Sequence, residues 1–306
     1  MRADRLTTGT VGSLLLVQAL FGVHYYAVKM VVTEIPPLAW AALRVSLAAA
    51  LMLSLAPWLA RRDDQPRRHD GWKLAGLAVF GVVINQICFV AGLARTTPTH
   101  SSLIVCLIPV LTLATALLFR QERLDVMRLL SIVISAAGVL VLLRVDHLVW
   151  DEMARGDLLT LVNSTSFALF LVLSRPLLRR RDPFRATAIL FGLGAVVMLP
   201  LGLPGLMRLD WSSVSGNVWG WSAFIVLGPT VLAYALNARA LRRVESSVVA
   251  LFIYFQPLLA GTLDVWLLDG KSSWRLAAAA AGIFAGVFLT IRAGRRRAVT
   301  PLPRGA

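Results

Sequence analysis

The polar side chains that interrupt long apolar stretches are the groups with which this sequence could do chemistry. Gln18, Gly22, Tyr25 and Lys29 recur at helical spacing and share one face, with His24 beside them. Asn85 and Gln86 are neighbours at the middle of another stretch; Tyr234 and Asn237, three apart, share a face of a third. Tyr254 and Gln256 stand just before Pro257. Asn163 opens a polar run with Ser164, Thr165 and Ser166; because Ser and Thr often bond their own helix backbone, Asn163 is the ligand candidate of the four. Amides, phenols and an imidazole at mid-span suit the wall of a cavity for a polar solute; the alternative is hydrogen bonding between helices. Pro109 and Pro257 each free a backbone carbonyl within an apolar stretch, which makes a kink that borders a binding site or one that serves packing alone. Counted from the helix ends, Lys29, Arg44 and Asp264 lie at similar depth. Asp264 is expected to neutralise Arg44 or Lys29 in an outer gate, the alternative being that the chains snorkel to the interface.

Other chemistry is weakly supported. No Asp or Glu falls near the middle of an apolar stretch, so an embedded carboxylate that alternates between proton and substrate is not expected, and His24 is the titratable group left at useful depth. The four histidines, 24, 69, 100 and 147, are scattered over loops and depths, and no HExxH, GxSxG or CxxC occurs. Neither an enzyme nor a metal or other cofactor is expected. Cys88 and Cys106 both lie in apolar stretches, which gives no disulfide framework.

The elements that must position these groups follow from composition. Of 306 residues, 58% are apolar and 15% charged, with a mean hydropathy of +0.73. A water-solvated core cannot absorb that excess, so the solvent is a bilayer. Hydropathy predicts an all-α polytopic protein with spans near 10–32, 37–60, 72–95, 98–119, 126–143, 156–178, 184–206, 217–240, 246–268 and 275–292. The first is too long for a signal peptide and lacks a cleavage site after it. With the N-terminus inside, 23 Lys and Arg fall on inner segments and seven on outer ones, so both termini are expected in the cytoplasm. The formal charge of +15 is then mainly a topology signal, facing an anionic inner leaflet; the Arg runs sit between spans, which argues against nucleic acid.

The chain also repeats. Pro109 is followed 29 residues later by Gly138-Val139, and Pro257 by Gly286-Val287 at the same distance; Ser101-Ser102 and Ser246-Ser247 open the two spans concerned. Five spans per copy is odd, so the second copy enters from the opposite side. Such an inverted repeat is the architecture of a secondary transporter, with a central cavity between the halves. The expected units are 1–147, 151–292 and a basic cytoplasmic tail over 293–306. Gly282-x-x-x-Gly286 allows close helix approach, more suited to internal packing than to a dimer, so a monomer or weak homodimer is expected.

Particular residues carry a family resemblance. The run from Leu20 to Lys29 (LFGVHYYAVK), then Ile35-Pro36-Pro37-Leu38 and Ala42-Leu43-Arg44, resembles the opening of EamA-like members of the drug/metabolite transporter superfamily. Pro109, Glu122-Arg123 and Gly138-Val139 resemble the end of that family's first repeat, and Gly156-Asp157-Leu158-Leu159 the start of its second. Phe21 stands where the family commonly has Trp, and Gly270 occupies the position that Glu122 has in the first repeat. The resemblance spans 10–292 and implies ten helices in two inverted halves that export or exchange small metabolites across a bacterial inner membrane. The expected cargo is a small polar molecule, an amino acid or a relative of one. A channel, a lipid or drug flippase, and a proton-coupled drug exporter using His24 are the alternatives.

Overall fold

A computed structural model describes residues 7–60, 70–121, 151–244 and 246–267, with single positions at 126, 130, 133, 134, 137, 274, 277, 278, 281, 282, 284, 285 and 289. Most of the fifth and tenth predicted spans, the Glu122-Arg123 and Glu245 positions, the tail, and the side chains of Pro257 and Asp264 lie outside them, as does Gly286 of the GxxxG pattern. Among the described residues all regular structure is helical. Seven helices are long and apolar enough to cross a membrane: α1 (Thr8–Val31), α2 (Pro37–Leu59), α3 (Asp70–Arg95), α4 (Pro98–Leu118), α5 (Glu152–Leu178), α6 (Pro183–Arg208) and α7 (Gly216–Leu241). An eighth, α8, runs as Ser246–Leu251, Phe252–Phe255 and Gln256–Leu267.

The helix starts are written locally. The side chains of Thr7, Thr97, Asp151, Asp182 and Ser215 each accept from a backbone N–H of the first turn of α1, α4, α5, α6 and α7. Pro37, Pro98 and Pro183 sit at the first turns of α2, α4 and α6, where a missing N–H costs nothing.

Direction along the bundle can be read from contacts. His24 stacks on Phe89 and Lys29 reaches the carbonyls of Leu93 and Thr96, so α1 and α3 run in parallel. Asn163 bonds the backbone of Asn85 and Ser166 that of Phe80, while a Cβ on Gly92 would meet Gly156; α5 therefore runs antiparallel to α3. Gly205 lies against Ala39, Gly202 against Ala42 and Gly192 against Leu53, so α2 and α6 are antiparallel as well. Among the described helices α5 thus opposes α1 and α6 opposes α2, as inverted halves require. α4 ends at the level where α1 begins, and α5 starts at the opposite level. Aromatics mark both levels: Trp58 and Trp72 are 85% and 86% exposed at one, and Trp266 is 79% exposed with Trp211 and Trp219 near the other, as interfacial belts require.

Small residues bring the halves together. A Cβ on Gly202 would lie 2.9 Å from the Leu38 carbonyl and inside the Ala42 methyl, and one on Gly205 would lie 3.0 Å from Ala39 Cβ. Without a hydrophobic drive between helices in lipid, such close approach is what makes packing favourable. Two irregularities recur at matching places. A π-helical segment interrupts α3 at Val79–Ile84 and α7 at Val226–Leu232. The fourth helix of each half changes geometry just before its proline, at Cys106-Leu107 in α4 and Phe252–Phe255 in α8. Pro109 therefore starts a new helical segment and is not an interior kink.

Candidate functional site

Where the halves meet, a cavity opens that is lined from α1, α2, α3, α4, α5, α7 and α8. Its volume is about 60 Å³. Gln18, His24, Tyr25, Asn85, Gln86, Asn163, Tyr234, Asn237 and Gln256 all line it. They are brought together from stretches more than 200 residues apart.

Two hydrogen-bonded groups organise the wall. On one side Tyr25 donates to Gln256 Oε1 at 2.8 Å, and Gln256 Nε2 donates to Gln18 Oε1 at 2.6 Å, tying α1 to α8. On the other, Gln86 Nε2 donates to the Tyr234 hydroxyl at 2.9 Å, and that hydroxyl donates to Asn85 Oδ1 at 3.0 Å, tying α3 to α7. Asn163 Nδ2 donates to the backbone carbonyl of Asn85 at 2.9 Å. Ser166 Oγ donates to the Phe80 carbonyl at 2.6 Å. Both carbonyls lie in or beside the π segment of α3, where the regular i to i−4 ladder is broken and acceptors are released. Asn163 is thus a lining residue and a backbone partner at once. Ser164 and Thr165 bond the carbonyls of Thr160 and Leu161 in their own helix, as expected, whereas Ser166 reaches across to α3.

The α7 irregularity has a proline cause. Pro229 has no N–H to give to Ile225, four residues earlier, and Thr230 Oγ1 donates to that carbonyl at 2.7 Å. The same hydroxyl accepts from Arg44 Nε at 2.7 Å. Arg44, 1% exposed, lines the cavity, and its Nη1 has no hydrogen-bond partner among the described residues. Of the gate expected of Arg44, Lys29 and Asp264, two members have described side chains. Lys29 Nζ donates to the Leu93 and Thr96 carbonyls at 3.0 and 2.8 Å, at the end of α3, and Arg44 is held by Thr230. The Asp264 side chain is outside the described residues.

Three other expectations resolve unevenly. Gly22 packs against Leu259, where a Cβ would come within 2.7 Å; on that stripe it serves packing while Gln18 and Tyr25 face the cavity. Tyr254 is buried but does not line the cavity, and its ring lies 6.5 Å from that of Phe284. The aromatic wall comes instead from Phe21, Phe89 and Phe167 with Tyr25 and Tyr234. His24 stacks on Phe89 with centroids 5.0 Å apart, and Phe21 and Phe167 both stand edge-on to Tyr234 at 6.3 Å. A signal for these three existed: Phe21 is three residues from Gln18, Phe89 three from Gln86, and Phe167 four from Asn163. Each therefore shares the face of a polar residue already singled out.

Outside the cavity, buried charges join the halves at both ends. Asp70, at the start of α3, accepts from Arg180 and Arg181 at 3.3 Å each. At the opposite end Asp157 of α5 accepts from Thr96 Oγ1 at 2.6 Å and lies 3.2 Å from His100 Nδ1. Among the described residues no three His, Cys, Asp or Glu side chains group as a metal site.

Comparison with known proteins agrees with this architecture. The chain is 25% identical over 241 residues to YyaM of Bacillus subtilis, named as an uncharacterized transporter, covering 78% of this chain and 79% of that one. An uncharacterized transporter of Archaeoglobus fulgidus is 25% identical over 284 residues, 91% of this chain and 97% of its own. A crystal structure at 20% identity superposes with a TM-score of 0.67 over 95% of this chain and 99% of the other, which speaks for the fold alone. The model of the EamA-like transporter family matches twice, over residues 10–144 and 154–292. Those two matches take in both inverted halves and nearly every residue of the cavity wall, and the chain belongs to the EamA-like transporter family of integral membrane transporters.

Proposed function

We propose that the protein carries a small polar metabolite, an amino acid or a close relative, across a bacterial inner membrane by alternating access, in export or exchange. The observation that carries this reading is the convergence of ten polar side chains from both halves on one small cavity. A site between two inverted halves is exposed to alternate faces when the halves rock, and hydrogen-bonding walls bind a polar solute. The aromatic faces of Phe21, Phe89 and Phe167 supply apolar contact for the rest of the cargo. Both termini on the cytoplasmic side fit the distribution of Lys and Arg.

No Asp or Glu lines the cavity among the described residues. Movement is therefore driven by the gradient of the cargo or of a counter-substrate, with no proton required. The test is uptake of a panel of metabolites into proteoliposomes. The expected result is a saturable flux that is accelerated by substrate on the opposite side and persists with no pH gradient. Flux without saturation or trans-acceleration identifies a channel, and strict dependence on a pH gradient identifies proton coupling, for which His24 is the candidate group.

A further inference from the structure

Arg44 has no task in the transport cycle just described, and its surroundings give it one. Its guanidinium is oriented from behind: Nε donates to Thr230 Oγ1, whose own proton goes to the Ile225 carbonyl that Pro229 leaves without an N–H. Arg44 lines the cavity, and its Nη1 is buried without a partner among the described residues. None of the described side chains that line the cavity is a carboxylate. A cation held in a dry, membrane-embedded site favours an anion beside it, and a planar guanidinium fits a carboxylate in particular.

The opposite chemistry stands in the same cavity. Gln86 Oε1 and Asn237 Oδ1 are buried acceptors without a hydrogen-bond partner among the described residues. Gln86 Nε2 is given to Tyr234 and Asn85. Two carbonyl oxygens seeking protons suit an ammonium group.

We infer that the cavity is built for a zwitterion, with Arg44 anchoring the carboxylate of the cargo and Gln86 and Asn237 receiving its ammonium. The inference rests on the cavity being the transport site. A zwitterion brings no net charge into the site, and its carboxylate pairs with the Arg44 guanidinium there. A phosphate dianion would leave a buried negative charge, since no lysine and no second arginine lines the cavity among the described residues.

The test is thermal unfolding of the purified full chain in detergent with the protein L-amino acids, each compared with its α-amide and its decarboxylated amine. Sodium acetate and sodium chloride at equal ionic strength serve as controls. A ligand that binds the folded state raises the unfolding midpoint. The expected result is that one or more acids raise it and that the matched amide and amine require at least about tenfold higher concentration for the same shift. In Arg44→Gln the preference for acid over amide disappears; in Arg44→Lys part of it remains. In Thr230→Val, which frees Nε, it shrinks. The inference is overturned if an amide or amine binds as well as its acid, if no carboxylate in the panel shifts the midpoint, if chloride acts as strongly as any acid, or if Arg44→Gln keeps the preference. The acid-to-amide comparison on the unaltered chain decides the matter even if an Arg44 variant does not fold. Acid and amide moved equally in proteoliposomes would leave transport standing and remove the anchor; acids that bind but are not moved would do the reverse.

Discussion

Gln86 and Tyr234 are 148 residues apart, as are Pro109 and Pro257, and they are bonded to each other. Two positions that correspond under the repeat meet only where the axis relating the halves passes between them, so this hydrogen bond lies at the centre of the molecule. Tyr234→Phe removes a donor from Asn85 and an acceptor from Gln86 inside a buried network. The expected cost is about 1–3 kcal/mol of stability, read as a lower unfolding midpoint in detergent. The contribution of the cavity residues was legible in the sequence because polar groups inside apolar spans are few, and each needs a reason to be there. Arg44 was legible as a residue but not as part of the wall. Counting from a helix end gives depth, and the direction in which a side chain points around the axis depends on neighbours that one sequence does not show.

At the level of elements, α1 to α8 begin and end within a few residues of the predicted spans, since caps, first-turn prolines and the change in hydropathy all act locally. The π segments were not legible. Pro229 accounts for the one in α7, yet Val79–Ile84 holds no proline. What sustains it is on another helix: Ser166 and Asn163 of α5 take up the carbonyls of Phe80 and Asn85. Ser166→Ala should therefore lower stability by about 1–3 kcal/mol, because the Phe80 carbonyl loses its partner. Thr165→Ala is the control. Thr165 bonds the backbone of its own helix and is exposed, so its loss should stay within about 0.5 kcal/mol. Thermal melts of the two variants side by side check both values. The α2–α6 contact gives a further expectation. Gly202→Val drives a branched side chain into the Leu38 carbonyl and the Ala42 methyl, and should cost about 1–3 kcal/mol or prevent assembly of the halves, measured as loss of folded protein on size exclusion.

For the molecule as a whole, the placement of charge separates binding from movement. The buried carboxylates at the two ends, Asp70 and Asp157, tie one half to the other, while the cavity between them has no carboxylate among its described lining. Under the proposed rocking of the halves one end loosens while the other stays closed, and these ties would then set the relative free energies of the states and not the affinity of the central site. Asp70→Asn keeps the shape of the side chain and removes its charge, weakening the hold on Arg180 and on Arg181, which is 3% exposed. The expected outcome in proteoliposomes, with pH clamped equal on both sides, is a several-fold change in the maximal rate of exchange. The concentration at which cargo raises the unfolding midpoint should move by no more than about twofold. Arg44→Gln should do the opposite and act first on that concentration. If Asp70→Asn weakened binding as strongly as Arg44→Gln, the ends and the centre would be one site, and the separation of latch from cavity would be wrong.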